Sequence, residues 1–174
     1  MKVSGIIGQM GLSDWWLDTF TKEEQKHIVD KYGVDLIKGH SGTRIQPQSI
    51  FLADLSSWIN TKNEYPIALK IIKKAENEFD ENLPTIDKHF YFMHLIRFYY
   101  KNREKGGCLD AAIKYCRKQI AIAKMVKIYF EENYYDQSLP SHTGYEQLAI
   151  YEEKQKNYST AIDICRQAKE EGWA

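Results

Sequence analysis

Hydrophobic positions from Ser49 onward recur at three- and four-residue spacing in runs that pair off into three helical hairpins. Leu52, Leu55, Ser56 and Ile59 stripe the first helix, and Tyr65, Ala68, Leu69, Ile72 and Ala75 stripe its partner, closing a hairpin over 49–79. The second hairpin covers 87–135. Phe92, Leu95, Ile96 and Tyr99 are followed, after the turn Asn102 to Cys108, by Leu109, Ala112, Ile113 and Cys116. Its second helix is expected to continue through Ile120, Ala123, Met125, Val126 and Tyr129. In the third, Tyr145, Leu148 and Ala149 open one helix, and Tyr158, Ala161, Ile162, Cys165 and Ala168 stripe another beyond a Lys156-Asn157 turn. Small residues on these stripes let paired helices approach closely. No segment shows the sustained alternation of a strand.

Before the hairpins, residues 1–12 are punctuated by Gly5, Gly8 and Gly11 and read as an extended arm. A dinucleotide loop would need a strand before those glycines and parallel strands beyond, and none follows. Ser13 predicts an N-cap for a helix at Asp14–Leu17, and Thr21 with Glu24 predicts a capping box opening a helix over 22–32 that Gly33 ends. Trp15, Trp16, Phe20, Ile28, Val29 and Tyr32 suit these helices to covering the open end of a helical stack. Residues 33–48 read as a long connection. Pro66 falls in a first helical turn, where its missing N–H costs little.

Aligned on its central alanine, Tyr65-Pro-Ile-Ala68-Leu matches Tyr158-Ser-Thr-Ala161-Ile, with Ala149 at a small position and Ala168 seven residues after Ala161. The hairpins resemble the tetratricopeptide repeat over 49–174. Glu152 stands where the family has an aromatic residue, and the central alanines are spaced more widely than the family's repeat, so the repeats are degenerate. The resemblance implies an all-α fold: a right-handed α-α superhelix of three degenerate hairpins with N-terminal capping helices, about eight helices in one domain over 1–174. The stretches Gly11 to Leu17 and Asp35 to Gly39, followed by the repeats, also resemble an uncharacterised bacterial and phage-associated group of tetratricopeptide-like proteins. The last helix is apolar enough to need a neighbour, which the arm and loop, a second copy of the chain or further sequence would supply.

Composition narrows the function. The 24 basic and 24 acidic residues cancel, so no global field recruits nucleic acid or a membrane. Locally the balance shifts: ten Lys or Arg between Lys88 and Lys127 face only Glu104 and Asp110. Lys114, Arg117, Lys118, Lys124 and Lys127, on one long expected helix, would be a nucleic-acid surface. Three cysteines make no CxxC pair and fit a reducing cytoplasm. Cys116 and Cys165 fall at equivalent core positions, whereas Cys108 in its Gly-Gly-Cys turn is expected to be exposed and oxidisable. No leader-like or bilayer-length apolar run appears.

No catalytic constellation or cofactor motif is present, and the expectation is a non-enzymatic protein without cofactor or metal. His89 and His94 are five apart, unlike a zinc pair, and are assigned a structural or solvated role. Adjacent carboxylates such as Glu152-Glu153 diverge on a helix and read as a solvated face. If Phe92, Leu95, Ile96 and Tyr99 face the partner helix, then His94, Arg97 and Lys101 share the opposite side. The resemblance implies that this side lines a concave groove where basic and amide residues hold a partner peptide's carboxylate. Asn60, His94, Arg97, Tyr100, Lys101 and Gln147 are the candidate peptide-binding residues. A protein or peptide partner is therefore expected; the alternatives are nucleic-acid binding or regulation through 88–127, and a structural homo-oligomer.

Overall fold

The structure is a computed structural model that describes residues 3–39, 46–134 and 136–173. Part of the expected 33–48 connection lies outside the described residues. Among the described residues there are ten α-helices, where about eight were expected, and no strand, as the periodicity predicted. The chain forms two compact units, Met1–Asp80 and Glu81–Ala174.

The first unit comprises α1 (Gly5–Gln9), α2 (Ser13–Thr19), α3 (Lys22–Tyr32), α4 (Gln48–Trp58) and α5 (Tyr65–Asn77), with 3-10 turns at Val34–Leu36 and Lys62–Glu64. The glycine arm is helical where an extended segment was expected. Gly5, at φ +61°, lets α1 lie against the backbone after α3: a Cβ there would sit 2.5 Å from Asp35 O and 2.6 Å from Lys38 N. At Gly8 a Cβ would come within 2.2 Å of Val3 O. These glycines serve close backbone approach. Ser13 does not cap α2 through its side chain; its hydroxyl donates to Val3 O instead. Thr21 and Glu24 form the expected reciprocal capping box, and Gly33 ends α3.

Two polar ties hold α5 to the helices before it. Lys70 Nζ donates to both carboxylate oxygens of Glu24 (2.9 and 3.0 Å) and to Thr19 O (3.2 Å). Glu64 is buried at the mouth of α5, where it accepts from Thr61 N (2.6 Å) and meets His27 Nε2 (2.5 Å) and Lys31 Nζ (3.0 Å) on α3. Burial alone would raise its pKa, but the hydrogen bonds from Thr61, Lys31 and His27 outweigh it and bring the carboxyl down to about 2.

The second unit comprises α6 (Thr85–Lys101), α7 (Cys108–Ala121), α8 (Ala123–Asn133), α9 (Thr143–Lys154) and α10 (Tyr158–Glu170). Antiparallel α6 and α7 bury Tyr91, Leu95, Ile96 and Tyr99 against Ala112, Tyr115 and Cys116. Tyr115 stacks on Phe92 and Tyr99, with centroids 6.0 Å apart in each pair. α9 packs on α7, and α10 on α9. Gly144 makes the first of these contacts close: a Cβ would lie 2.9 Å from Gln119 Oε1 and 3.0 Å from Cys116 O.

Three expectations are corrected here. The long helix of the second hairpin breaks at Ile122, so that Ala123 and Val126 on α8 turn into a separate cluster with Tyr145, Ala168 and Trp173. α10 meets α9 through Ala161, Ile164 and Ala168, offsets of three and seven, while Tyr158 (59% exposed), Ile162 (56%) and Cys165 lie on the adjacent, solvent-facing side. Cys108 is buried as the first residue of α7, so Cys108 and Cys165 exchange the environments expected of them. Ala68 and Ala112 are buried and Ala161 is half-buried, as crossing-point alanines should be.

The Glu64 contribution is complete above the carboxyl's ordinary 4.5 and is lost as pH falls through about 2. Glu64→Gln should therefore cost the first unit about 2 kcal/mol at pH 7 and flatten its acid limb, measured by urea denaturation across pH. Gly144→Ala should destabilise the second unit by about 1–3 kcal/mol in the same experiment, because the obstructing atoms are backbone and a buried side chain.

Candidate functional site

α6 is an amphipathic helix whose buried face leaves Arg97 and Lys101, one turn apart, on its exposed side, with Tyr100 half-buried beside them. α9 sets Thr143, Glu146 and Gln147 opposite, on one face of its first turns. Together these six residues line a cleft of about 220 Å³. The position of α9 is fixed by side chains remote from the cleft mouth. His142, its N-cap, accepts from Tyr145 N through Nδ1 (3.3 Å). Gln119, wholly buried on α7, donates to His89 O (3.0 Å) and accepts from Gly144 N (2.7 Å).

Cations dominate the cleft and its rim. Among the described residues Arg97 makes no hydrogen bond or ion pair, leaving its guanidinium available for a bidentate acceptor. Lys154 Nζ donates to the Tyr100 hydroxyl (3.3 Å), linking the end of α9 to α6, and the Arg103 guanidinium lies over the Tyr100 ring at 5.0 Å. Among the described residues Glu146 is the one carboxylate lining the cleft. Gln147 Oε1 is buried without a hydrogen-bond partner among the described residues. A group that brings both a carboxylate and an N–H would satisfy what this cleft offers.

No family model, no curated protein and no solved structure matches the chain.

Of the six candidates read from sequence, Arg97, Tyr100, Lys101 and Gln147 converge on the cleft. His94 is half-buried on α6 and is not among the lining residues. Asn60 lies in the first unit, just beyond the end of α4, where its amide donates to Ser57 O (2.9 Å). Thr143 and Glu146 line the cleft and were not singled out; their offsets from Gln147 were the available signal. The basic residues thought to share one long helix do not. Lys114, Arg117 and Lys118 are on α7, Lys124 and Lys127 on α8; Lys118 pairs with Glu81, Lys124 with Glu171 and Lys127 with Glu131.

The sequence reading also missed a buried aromatic cluster. His89 and His142, 2% and 3% exposed, have ring centroids 5.3 Å apart, and Trp173 stacks on His89 at 5.9 Å while meeting His142 edge-on at 4.8 Å. Among the described residues, His89 Nδ1, His142 Nε2 and Trp173 Nε1 are buried without a hydrogen-bond partner. Among the described residues no group of three His, Cys, Asp or Glu is placed to hold a metal. His142 could not contribute readily in any case, because its Nδ1 lone pair is spent on Tyr145 N.

Burial raises the Cys116 thiol to about 12 and encloses Cys108, leaving Cys165 the exposed thiol. A thiol reagent should modify one cysteine per native chain, at Cys165, and all three only after unfolding, as read by mass spectrometry.

Proposed function

We propose that this chain is a non-enzymatic interaction module that captures a carboxylate-bearing peptide of a partner protein in the α6–α9 cleft. The observation that carries the reading is the convergence of Arg97, Lys101 and Gln147, contributed by two helices, on one cleft. Arg97 would take a carboxylate in a two-pronged contact and Lys101 would add charge. Gln147 Oε1 would accept a peptide N–H and Tyr100 would supply apolar surface. A free peptide C-terminus carries both required groups within one residue. The cleft's titratable groups include no nucleophile paired with a base, which favours binding over chemistry.

The finer architecture belongs to the same proposal. The α4–α5, α6–α7 and α9–α10 hairpins are read as degenerate tetratricopeptide-like repeats. Within the second unit the succession of α6 on α7, α7 on α9 and α9 on α10 supports this reading. A reducing compartment such as the cytoplasm suits three unpaired cysteines.

Peptides selected from a display library with free C-termini should bind the purified chain. Amidation of that terminus, or Arg97→Ala, should weaken them about tenfold or more, measured by fluorescence anisotropy. The variant's melting temperature should be unchanged because Arg97 is exposed. Equal affinity in Arg97→Ala would remove the cleft as the site, and a salt-steep gel shift with unselected RNA or DNA would favour nucleic acid instead.

A further inference from the structure

Neutral histidines enclosed by aromatic rings are costly to charge, and the way His142 is hydrogen-bonded makes the cost structural as well as electrostatic. Because its Nδ1 accepts from Tyr145 N, its ring proton is on Nε2, and Nδ1 is the one lone pair left to take a second proton. A proton at Nδ1 would face the Tyr145 N–H and abolish the cap of α9. His89, 5.3 Å away, is in the same position electrostatically: its buried Nδ1 meets no acceptor that could share a positive charge.

We infer that His89, His142 and Trp173 form a proton-sensitive latch: gaining a proton within it unfastens the first turn of α9 and the tryptophan from α6. That turn carries Thr143, Glu146 and Gln147, so one wall of the cleft is released with it. The latch needs no ligand in the cleft, and it stands or falls independently of the function proposed above.

The surroundings offer little compensation. Burial lowers His89 to about 4. Burial first, then the neighbouring His89, lowers His142 to about 3. The carbonyls of His142 and Gln119 favour its charged form slightly, yet Nε2 has no partner that meets hydrogen-bond geometry. No carboxylate contributes to either ring. Among the charged groups on the surrounding elements are Asp87 and Lys88 on α6, Lys118 on α7, Lys127 and Glu131 on α8, Glu146 on α9 and Glu171 after α10. Of these, Lys118 pairs with Glu81, Lys127 with Glu131, and Glu171 accepts from the Tyr145 hydroxyl (2.6 Å). Because both folded values lie below the ordinary 6.5, the latch is fully closed above pH 6.5, weakens as pH falls below it, and has lost the whole contribution once pH is below about 4 for His89 and about 3 for His142.

The test is amide hydrogen exchange on the whole chain at pH 7 and pH 5, corrected for intrinsic rates. Protection at Tyr145 N–H and at the Trp173 indole N–H should fall roughly thirtyfold for each ring freed, while Leu95 on α6 stays protected. His142→Asn retains a capping acceptor without a titrating ring, and His89→Phe fills the same aromatic space. The double variant should show no fall at Tyr145. Equal protection of the native chain at the two pH values would overturn the inference, as would a double variant that keeps the native fall. Should the double variant not fold, His142→Asn alone should show a smaller fall, and an undiminished one would overturn it.

Discussion

The second unit depends on a single buried amide. Gln119 spans the gap between α6 and α9, giving its N–H to the His89 carbonyl and taking the Gly144 N–H on its oxygen. The Gly144 N–H, in the first turn of α9 and so without a helical acceptor, would otherwise be sealed away from water at a cost of about 1–3 kcal/mol, and the clasp removes that penalty. It also sets where α9 begins, since Gly144 must lack a Cβ for the amide to reach it. From that starting point follow the His142 cap, the direction of Glu146 and Gln147, and hence the cleft.

The first unit solves the same problem with charge. Glu64 joins the start of α5 to α3 through His27 and Lys31, and Lys70 joins the middle of α5 to the Thr19–Glu24 corner. A carboxylate so placed is oriented by Thr61 N and therefore loses little on burial. In both units apolar area supplies the bulk of the stability, while one enclosed polar side chain selects the register of the helices around it.

Much of this was legible in the sequence where the determinant is local. The Thr21–Glu24 box, the Gly33 stop, Pro66 in the first turn of α5 and the Lys156-Asn157 turn are settled by residues within a few positions of one another. The crossing alanines Ala68 and Ala112 were legible because periodicity marks a buried face. Periodicity did not distinguish between two adjacent faces of α10, since Tyr158, Ile162 and Cys165 lie beside Ala161, Ile164 and Ala168 and both sets are apolar. Nor did it reveal the break at Ile122, whose flanking residues continue a helical pattern; Ala123 and Val126 turn away because a second cluster awaits them. At the cleft, Arg97, Lys101 and Gln147 were found by helix offsets. The His89–His142–Trp173 group was not, because its members are separated by dozens of positions and only tertiary packing unites them.

The enclosed titratable groups of the two units, His89 and His142 in one and Glu64 in the other, have opposite chemical characters, and this orders their responses to acid. Imidazoles that must stay neutral are challenged by mild acid, whereas a carboxylate that must stay charged withstands everything short of strong acid. Acidification would unfasten the start of α9 and Trp173 in the second unit before it neutralised Glu64 in the first.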